Sequence, residues 1–500
     1  MTPILAVAAS GSETPVASFK IKMPGTFRRP CQAPGLRLVP VLALVAWSVA
    51  APSAAQRTGD APFVEPDVLL DESAAPDSVV VTLVAAPARL SLLPDLETAA
   101  YAYNGSIPGP TLEVHEGDHV VVRFRNELPE ETTVHWHGLH LPFMADGSPF
   151  HPVEPGQSFE YAFTVPWGTA GTYLYHPHPN HRTAWQVGMG LYGAIVVRAR
   201  DDPLEAFPER LLILADNRFL PDGTLDFPDP ESERGRLDEL NGREGDVLFV
   251  NGQVDPVVPI RSGEVQRWRV LNASAARVYR ISLADHQLLH VGTDGGLFER
   301  PAPIDELVLA NTERSELLVR GTAGRGERAS LSTLPYDRYM PRGRPDDWEE
   351  PRRLLTLSYG PDPPVEAPPI PTRLRHVPRM DPRNATATRL IRMSQGRLNS
   401  RLMDMERMDV TAPLGATEIW EIRNLVGMDH PFHLHGFRFQ VLDRNGVPEP
   451  FPSWKDTVNV PRRETVRFIV RYDEHPGLWM FHCHILEHED QGMMGILEVR

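Results

Sequence analysis

Glu116-Gly117-Asp118-His119-Val120-Val121-Val122-Arg123-Phe124-Arg125-Asn126 is the stretch on which the reading of this chain turns. A turn residue opens it, apolar and polar side chains alternate through it, and Asn126 closes it. Period two between turn residues is the pattern of a half-buried strand. The frame returns twice. Gly263 and Asn272 bracket Gln266-Arg267-Trp268-Arg269-Val270-Leu271, and Gly415 and Asn424 bracket Glu418-Ile419-Trp420-Glu421-Ile422-Arg423. Each copy reads as a turn, a strand with alternating faces, and a turn. A repeat of about 150 residues marks whole domains, not the short units of a solenoid.

Three such domains suit a chain of 500 residues, which is too long for one core. With 41% hydrophobic and 23% charged residues, the composition is that of an ordinary globular protein. Proline, at 50 residues, favours loops and edge strands over long helices. Runs such as Val79-Val80-Val81 add further short strands, so an all-β protein is expected. Composition sets the boundaries: an acidic lead-in at 56–75, a first domain at 76–200, a second at 205–358, a proline-rich linker at 359–371 and a third domain at 372–500.

Residues 1–55 read as an export signal. Leu38 to Ala50 are apolar, Arg28, Arg29 and Arg37 precede them, and Ser53-Ala54-Ala55 offers a small-residue cleavage site. Met23 reads as an alternative start, and Arg28-Arg29 leaves open a twin-arginine or a general secretory route. An exported protein, periplasmic or secreted, is expected. Removing the signal takes away Lys20, Lys22, Arg28, Arg29, Arg37 and Glu13, which moves the formal charge from −16 to about −20. So acidic a chain is a poor partner for nucleic acid or an anionic membrane. Of two cysteines, Cys31 leaves with the signal, and Cys483 remains as a lone thiol in an oxidising compartment.

Function enters downstream of the repeat. Nine residues past Asn126 stands His135-Trp136-His137-Gly138, and nine past Asn424 stands His433-Leu434-His435-Gly436. Nine past Asn272 stands Ile281-Ser282-Leu283, so the middle copy carries no such pair and reads as a spacer. A second echo joins Gly171-Thr172-Tyr173-Leu174-Tyr175-His176-Pro177-His178 to Gly477-Leu478-Trp479-Met480-Phe481-His482-Cys483-His484. On a strand, residues i and i+2 share a face, about 7 Å apart. Four pairs therefore present eight imidazoles, which converge if the outer domains meet face to face. Imidazole alone leaves open copper, zinc, iron or nickel.

Cys483 decides among them. Lying between His482 and His484, its sulfur points to the opposite face of the strand. His488 and Met493 follow it, and His430 stands three before His433. Two histidines, a thiolate and a thioether form the ligand set of a blue-copper site, whereas structural zinc prefers several thiolates. One short strand then joins two metal sites. The remaining histidines, His181 among them, read as surface or core residues.

With these motifs in hand, the sequence resembles the three-domain multicopper oxidases of the bacterial laccase and copper-efflux type, over the whole chain beyond the signal. His135-Trp136-His137-Gly138, His176-Pro177-His178, His430-Pro431-Phe432-His433-Leu434-His435-Gly436 and His482-Cys483-His484 through His488 and Met493 carry the resemblance. It implies three cupredoxin-like Greek-key β-domains and four coppers per chain. His430, Cys483 and His488, with Met493 axial, would hold the type 1 copper. His135 and His433 would hold the type 2 copper. His137, His176, His178, His435, His482 and His484 would hold the type 3 pair. It also implies proton-delivering acids at Asp146 and Glu489, and a monomer that takes electrons from a phenol, an aromatic amine or a metal ion and passes them to dioxygen.

A cuprous-ion oxidase is the alternative, since Met428 stands where copper-efflux relatives bind cuprous ion and Met403, Met405 and Met408 could add soft ligands. Alternating Met and acid there reads equally as a half-buried strand. A copper-free scaffold of the same fold, as in some exported division proteins, would lack the ligands.

Overall fold

The computed structural model describes residues 61–343 and 348–500. In it, each copy of the repeat is a strand flanked in the same way. His119–Asn126 runs parallel to Ser78–Leu93 and antiparallel to Ser158–Thr164. Val265–Asn272 runs parallel to Glu209–Asn217 and antiparallel to Arg314–Arg320. Thr417–Asn424 runs parallel to Ala387–Ser394 and antiparallel to Thr465–Arg471. The shared sequence frame is thus a shared place in three β-sandwich modules, built among the described residues from six sheets. Each module closes over its own apolar core, centred on Trp136, Trp268 and Trp420 in turn.

The first and third copies keep the alternation that the sequence predicts. In His119–Asn126, Val120, Val122, Phe124 and Asn126 are buried while the residues between them are not. The middle copy departs from it, for all of Val265–Asn272 is buried. Its polar face is covered: Arg269 reaches Thr172 Oγ1 of the first module at 3.1 Å, and Arg267 pairs with Asp202 and Glu316. Burying that face needs charge partners, and these arginines have them.

The remaining sheets position the histidine motifs. In the first module His135–His137 lies beside Gly171–His176, with His135 opposite His176. In the third, His430–Leu434 lies beside Gly477–Cys483, with His433 opposite His482. Among the described residues three short α-helices accompany the strands: α1 (Thr183–Gly188), α2 (Glu233–Asn241) and α3 (Leu486–Asp490).

The described part of the lead-in is tied along two modules, through Phe63 N to Val257 O and Leu69 N to Thr111 O. The proline-rich linker lays Ala367 and Ile370, and the start of the third domain Leu374, on the apolar cluster of Leu204, Phe207 and Val265. The segment read as an export signal, with Met23 and Cys31, lies outside the described residues. No helix among the described residues is long and apolar enough to cross a membrane.

Candidate metal centre

The eight imidazoles of the four pairs meet between the first and third modules, each at most 2% exposed. Rings from opposite modules face one another. His135 stacks on His435 with centroids 4.0 Å apart, and His137 on His433 at 3.8 Å. His178 meets His482 edge-on at 5.1 Å, and His176 meets His484 at 5.6 Å. Ring nitrogens converge as well: His137 Nδ1 and His176 Nε2 are 3.4 Å apart, His178 Nε2 and His482 Nε2 3.4 Å, and His435 Nε2 and His482 Nε2 3.0 Å.

The opposite ring nitrogens are anchored, and two aspartates do much of it reciprocally. His135 donates through Nδ1 to the carbonyl oxygen of Asp146 (2.8 Å), and His435, from the other module, donates to Asp146 Oδ2 (3.0 Å). His433 donates through Nδ1 to the carbonyl oxygen of Asp456 (2.9 Å), and His137, again from the other module, donates through Nε2 to Asp456 Oδ1 (3.1 Å). Each aspartate thus holds one histidine of its own module with its backbone and one of the facing module with its carboxylate.

The residues fit a metal cluster on two counts. His135 Nε2, His433 Nε2 and His484 Nε2 are buried with no hydrogen-bond partner, which is costly for a polar atom unless something else satisfies its lone pair. Burial, followed by the neighbouring imidazoles, holds His135, His137, His433, His435 and His484 well below the ordinary histidine range. Those rings are neutral, with lone pairs free to coordinate.

Cys483, fully buried, faces the other way. Its Sγ lies 3.8 Å from His488 Nδ1, and ligand atoms of His430, Cys483 and His488 all fall within 4.8 Å of one another. Burial pushes the thiol up and pulls His430 down to about 3 and His488 down to about 4. A protonated thiol between two neutral imidazoles suits a soft ion that would displace its proton. Met493 is buried in the same core, and its backbone bonds to Cys483 N and His488 O. At the far side of His488, Nε2 donates to the carbonyl oxygen of Leu240 at the end of α2, 3.0 Å away.

Of the two acids singled out by resemblance, Asp146 holds His435, and burial raises its carboxyl above the ordinary range. Glu489, 1% exposed, lies 3.5 Å from His178 Nε2 and 3.2 Å from His482 Nδ1. His181 is outside the cluster, donating to the Asp490 carbonyl. Three of the four methionines considered as soft ligands pack as apolar residues. Met428 belongs to the core of the third module, and Met403 and Met408 rest on Met480, Met494 and Ile496. Residues 402–408, expected as an alternating strand, form a loop with a turn, because Arg407 and Asp409 pair there and Met403 N is taken by Gly492 O.

Sequence reasoning missed the contribution of the middle module, which is no mere spacer. Its loop 311–314 sets the Asn311 amide 3.4 Å from His484 Nδ1, Thr312 beside Thr457, and Arg314 on Asp456. Asp456 was missed with it, since a Lys-Asp-Thr in sequence looks like any solvated turn. Gly138 is explained by the same group: it has a φ of +90°, and a Cβ there would lie 2.4 Å from Asp456 Oδ2 and 2.6 Å from Arg314 Nη2.

Comparison with known proteins agrees with this geometry. Three family models, each described as multicopper oxidase, match residues 86–202, 229–326 and 368–500. The chain is 31% identical over 410 residues to a multicopper oxidase of Staphylococcus haemolyticus, covering 79% of this chain and 83% of that one. It is 32% identical over 433 residues to the cell division protein FtsP of Xenorhabdus nematophila, covering 82% and 87%. A solved multicopper oxidase from Campylobacter jejuni, described as a metallo-oxidase, superposes with a TM-score of 0.81 at 32% identity, over 89% of this chain and 96% of that one.

Proposed function

The chain belongs to the multicopper oxidase family, and on that premise we propose a laccase-type enzyme that couples four one-electron substrate oxidations to the reduction of dioxygen to water. The observation that carries the proposal is the strand Gly477–Cys483 with His484 beyond it. Its Cys483 sulfur turns to His430 and His488, while His482 and His484 turn to the imidazole cluster. Covalent bonds of a single residue step therefore connect the two groups.

Four coppers fit the donors present. His430, Cys483, His488 and Met493 would hold the type 1 ion, and His135 with His433 the type 2 ion. His137, His176, His178, His435, His482 and His484 would hold the type 3 pair. Bound copper would supply the one-electron redox changes and the binding of dioxygen. The chain supplies the rest. Asp146 and Asp456 orient rings from both outer modules, so the cluster forms only when those modules are docked. Asp146, on His435, and Glu489, beside His178 and His482, are carboxylates that can hand on protons. Burial of the whole group excludes bulk water from it.

A small reducing substrate, phenolic or aromatic amine, gives up its electron near His488. Metal-ion oxidation is the second reading, favoured by one observation: the outer edge of His488 is covered by the Leu240 carbonyl, which disfavours bulky donors. The copper-free alternative, raised by likeness to a division protein, is opposed by the intact donor set. We further propose that the protein is exported and monomeric.

Copper analysis and steady-state oxygen consumption with a phenol and with cuprous ion test the reading. About four coppers per chain and turnover of at least one donor are expected. A chain that binds no copper after reconstitution refutes it.

A further inference from the structure

The two aspartates that tie the outer modules together differ in one respect. Asp146 has no lysine or arginine paired with it among the described residues; the neutral imidazoles of His135 and His435 lie against it instead. Asp456 is held by a bidentate guanidinium, Arg314 Nη1 to Oδ1 at 2.8 Å and Nη2 to Oδ2 at 2.5 Å. Arg314 is fully buried and comes from the middle module. Its remaining donors are spent on backbone around it: Nε on Thr172 O of the first module, Nη1 on Thr312 O and Nη2 on Asp294 O. The guanidinium therefore has one place to sit, and it touches all three modules there.

We infer that Arg314 and Asp456 form a positioning pair for the copper cluster, by which the middle module sets the orientation of His137, of the type 3 set, and of His433, of the type 2 set. The inference rests on the copper reading of the site and adds a role for a module without ligands. Planar, bidentate Arg–carboxylate contact fixes the carboxylate plane. That plane sets where Oδ1 receives the His137 Nε2 proton, and so where His137 Nδ1 points. Thr457 Oγ1 donates to the same Oδ1 at 3.0 Å and lies 3.1 Å from His433 Nδ1, which extends the control to the second ring. The two rings stack at 3.8 Å, so neither turns alone. A carboxylate behind a ligand imidazole also raises its donor strength.

The test compares wild type with Asp456→Asn, Arg314→Lys and Arg314→Met, all as copper-loaded full chains. Copper content, the type 2 electron paramagnetic resonance signal, blue absorption and oxygen turnover are read together. Asp456→Asn and Arg314→Met should keep the blue absorption, lose the type 2 signal and cluster copper, and turn over oxygen roughly 10- to 100-fold more slowly. Arg314→Lys, with charge but no fork, should retain copper with a shifted type 2 signal. Wild-type copper content and an unshifted signal in both Asp456→Asn and Arg314→Met overturn the inference while leaving the copper reading intact. So does loss of the blue absorption together with the cluster in Asp456→Asn, since that marks a residue holding the fold and not two rings. Wild-type protein without copper overturns the copper reading itself.

Discussion

The imidazole of His488 donates through Nε2 to the main-chain oxygen of Leu240, so the last turn of α2 lies against this ligand ring. Gln491, three residues on, tethers the same turn by donating to the Glu239 carbonyl at 2.8 Å. Gln491→Ala removes one hydrogen bond, worth about 1 kcal/mol, or roughly a fivefold gain in the population with α2 lifted. Oxidation of a bulky methoxyphenol should quicken by about that factor, while cuprous-ion oxidation changes little. Equal acceleration of both donors would show that α2 does not select between them.

Cys483→Ser should abolish the intense blue absorption and the oxidase activity together. The fold should survive, because the thiol makes no disulfide and the substitution is small. Circular dichroism reports the fold and absorbance the site. A variant that stays blue would rule out the thiolate as a ligand.

Asp146→Asn keeps the backbone oxygen that anchors His135 but weakens the carboxylate contact to His435. Oxygen consumption should fall roughly 10- to 100-fold. Anaerobic bleaching of the blue absorption by substrate, followed by stopped flow, should keep its wild-type rate. If both slow alike, Asp146 does not act at the oxygen-reducing side.

His290 lies away from the proposed ligands, with Ser315 Oγ 2.6 Å from its Nε2 and Phe298 against its ring. Burial lowers it from 6.5 to about 4. Between those values the unfolded chain carries a proton here that the folded chain does not, so this group lowers stability as pH falls from 6.5 to 4, and adds no further loss below. The effect is on the order of 2 kcal/mol after allowance for partial exposure. Urea titrations of wild type and His290→Gln across that window should differ by that amount at the acid end and converge above pH 6.5. Parallel curves would contradict the assignment.

Much of this was legible in the chain. The repeated strand at Gly117, Gly263 and Gly415 placed three modules of one design, since period-two alternation between turn residues is a local property of a few neighbouring side chains. The four His-x-His pairs and Cys483 were legible for the same reason: successive side chains on a strand take opposite faces. The middle copy shows the limit. Its alternation was readable, yet its outward face is buried, because the partners of Arg267 and Arg269 come from other strands and another module.

What the sequence by itself determined is which side chains share a face of a strand, and hence that a thiolate and two imidazoles must part company at residues 482–484. Tertiary structure alone decided which rings meet, that Asp146 and Asp456 hold them crosswise, and that Arg314 of a module without ligands stands behind one of them. The reason is physical. Strand periodicity is written in adjacent residues, whereas a buried ion pair between residues 314 and 456 carries the same letters as two solvated charges until packing removes the water around them.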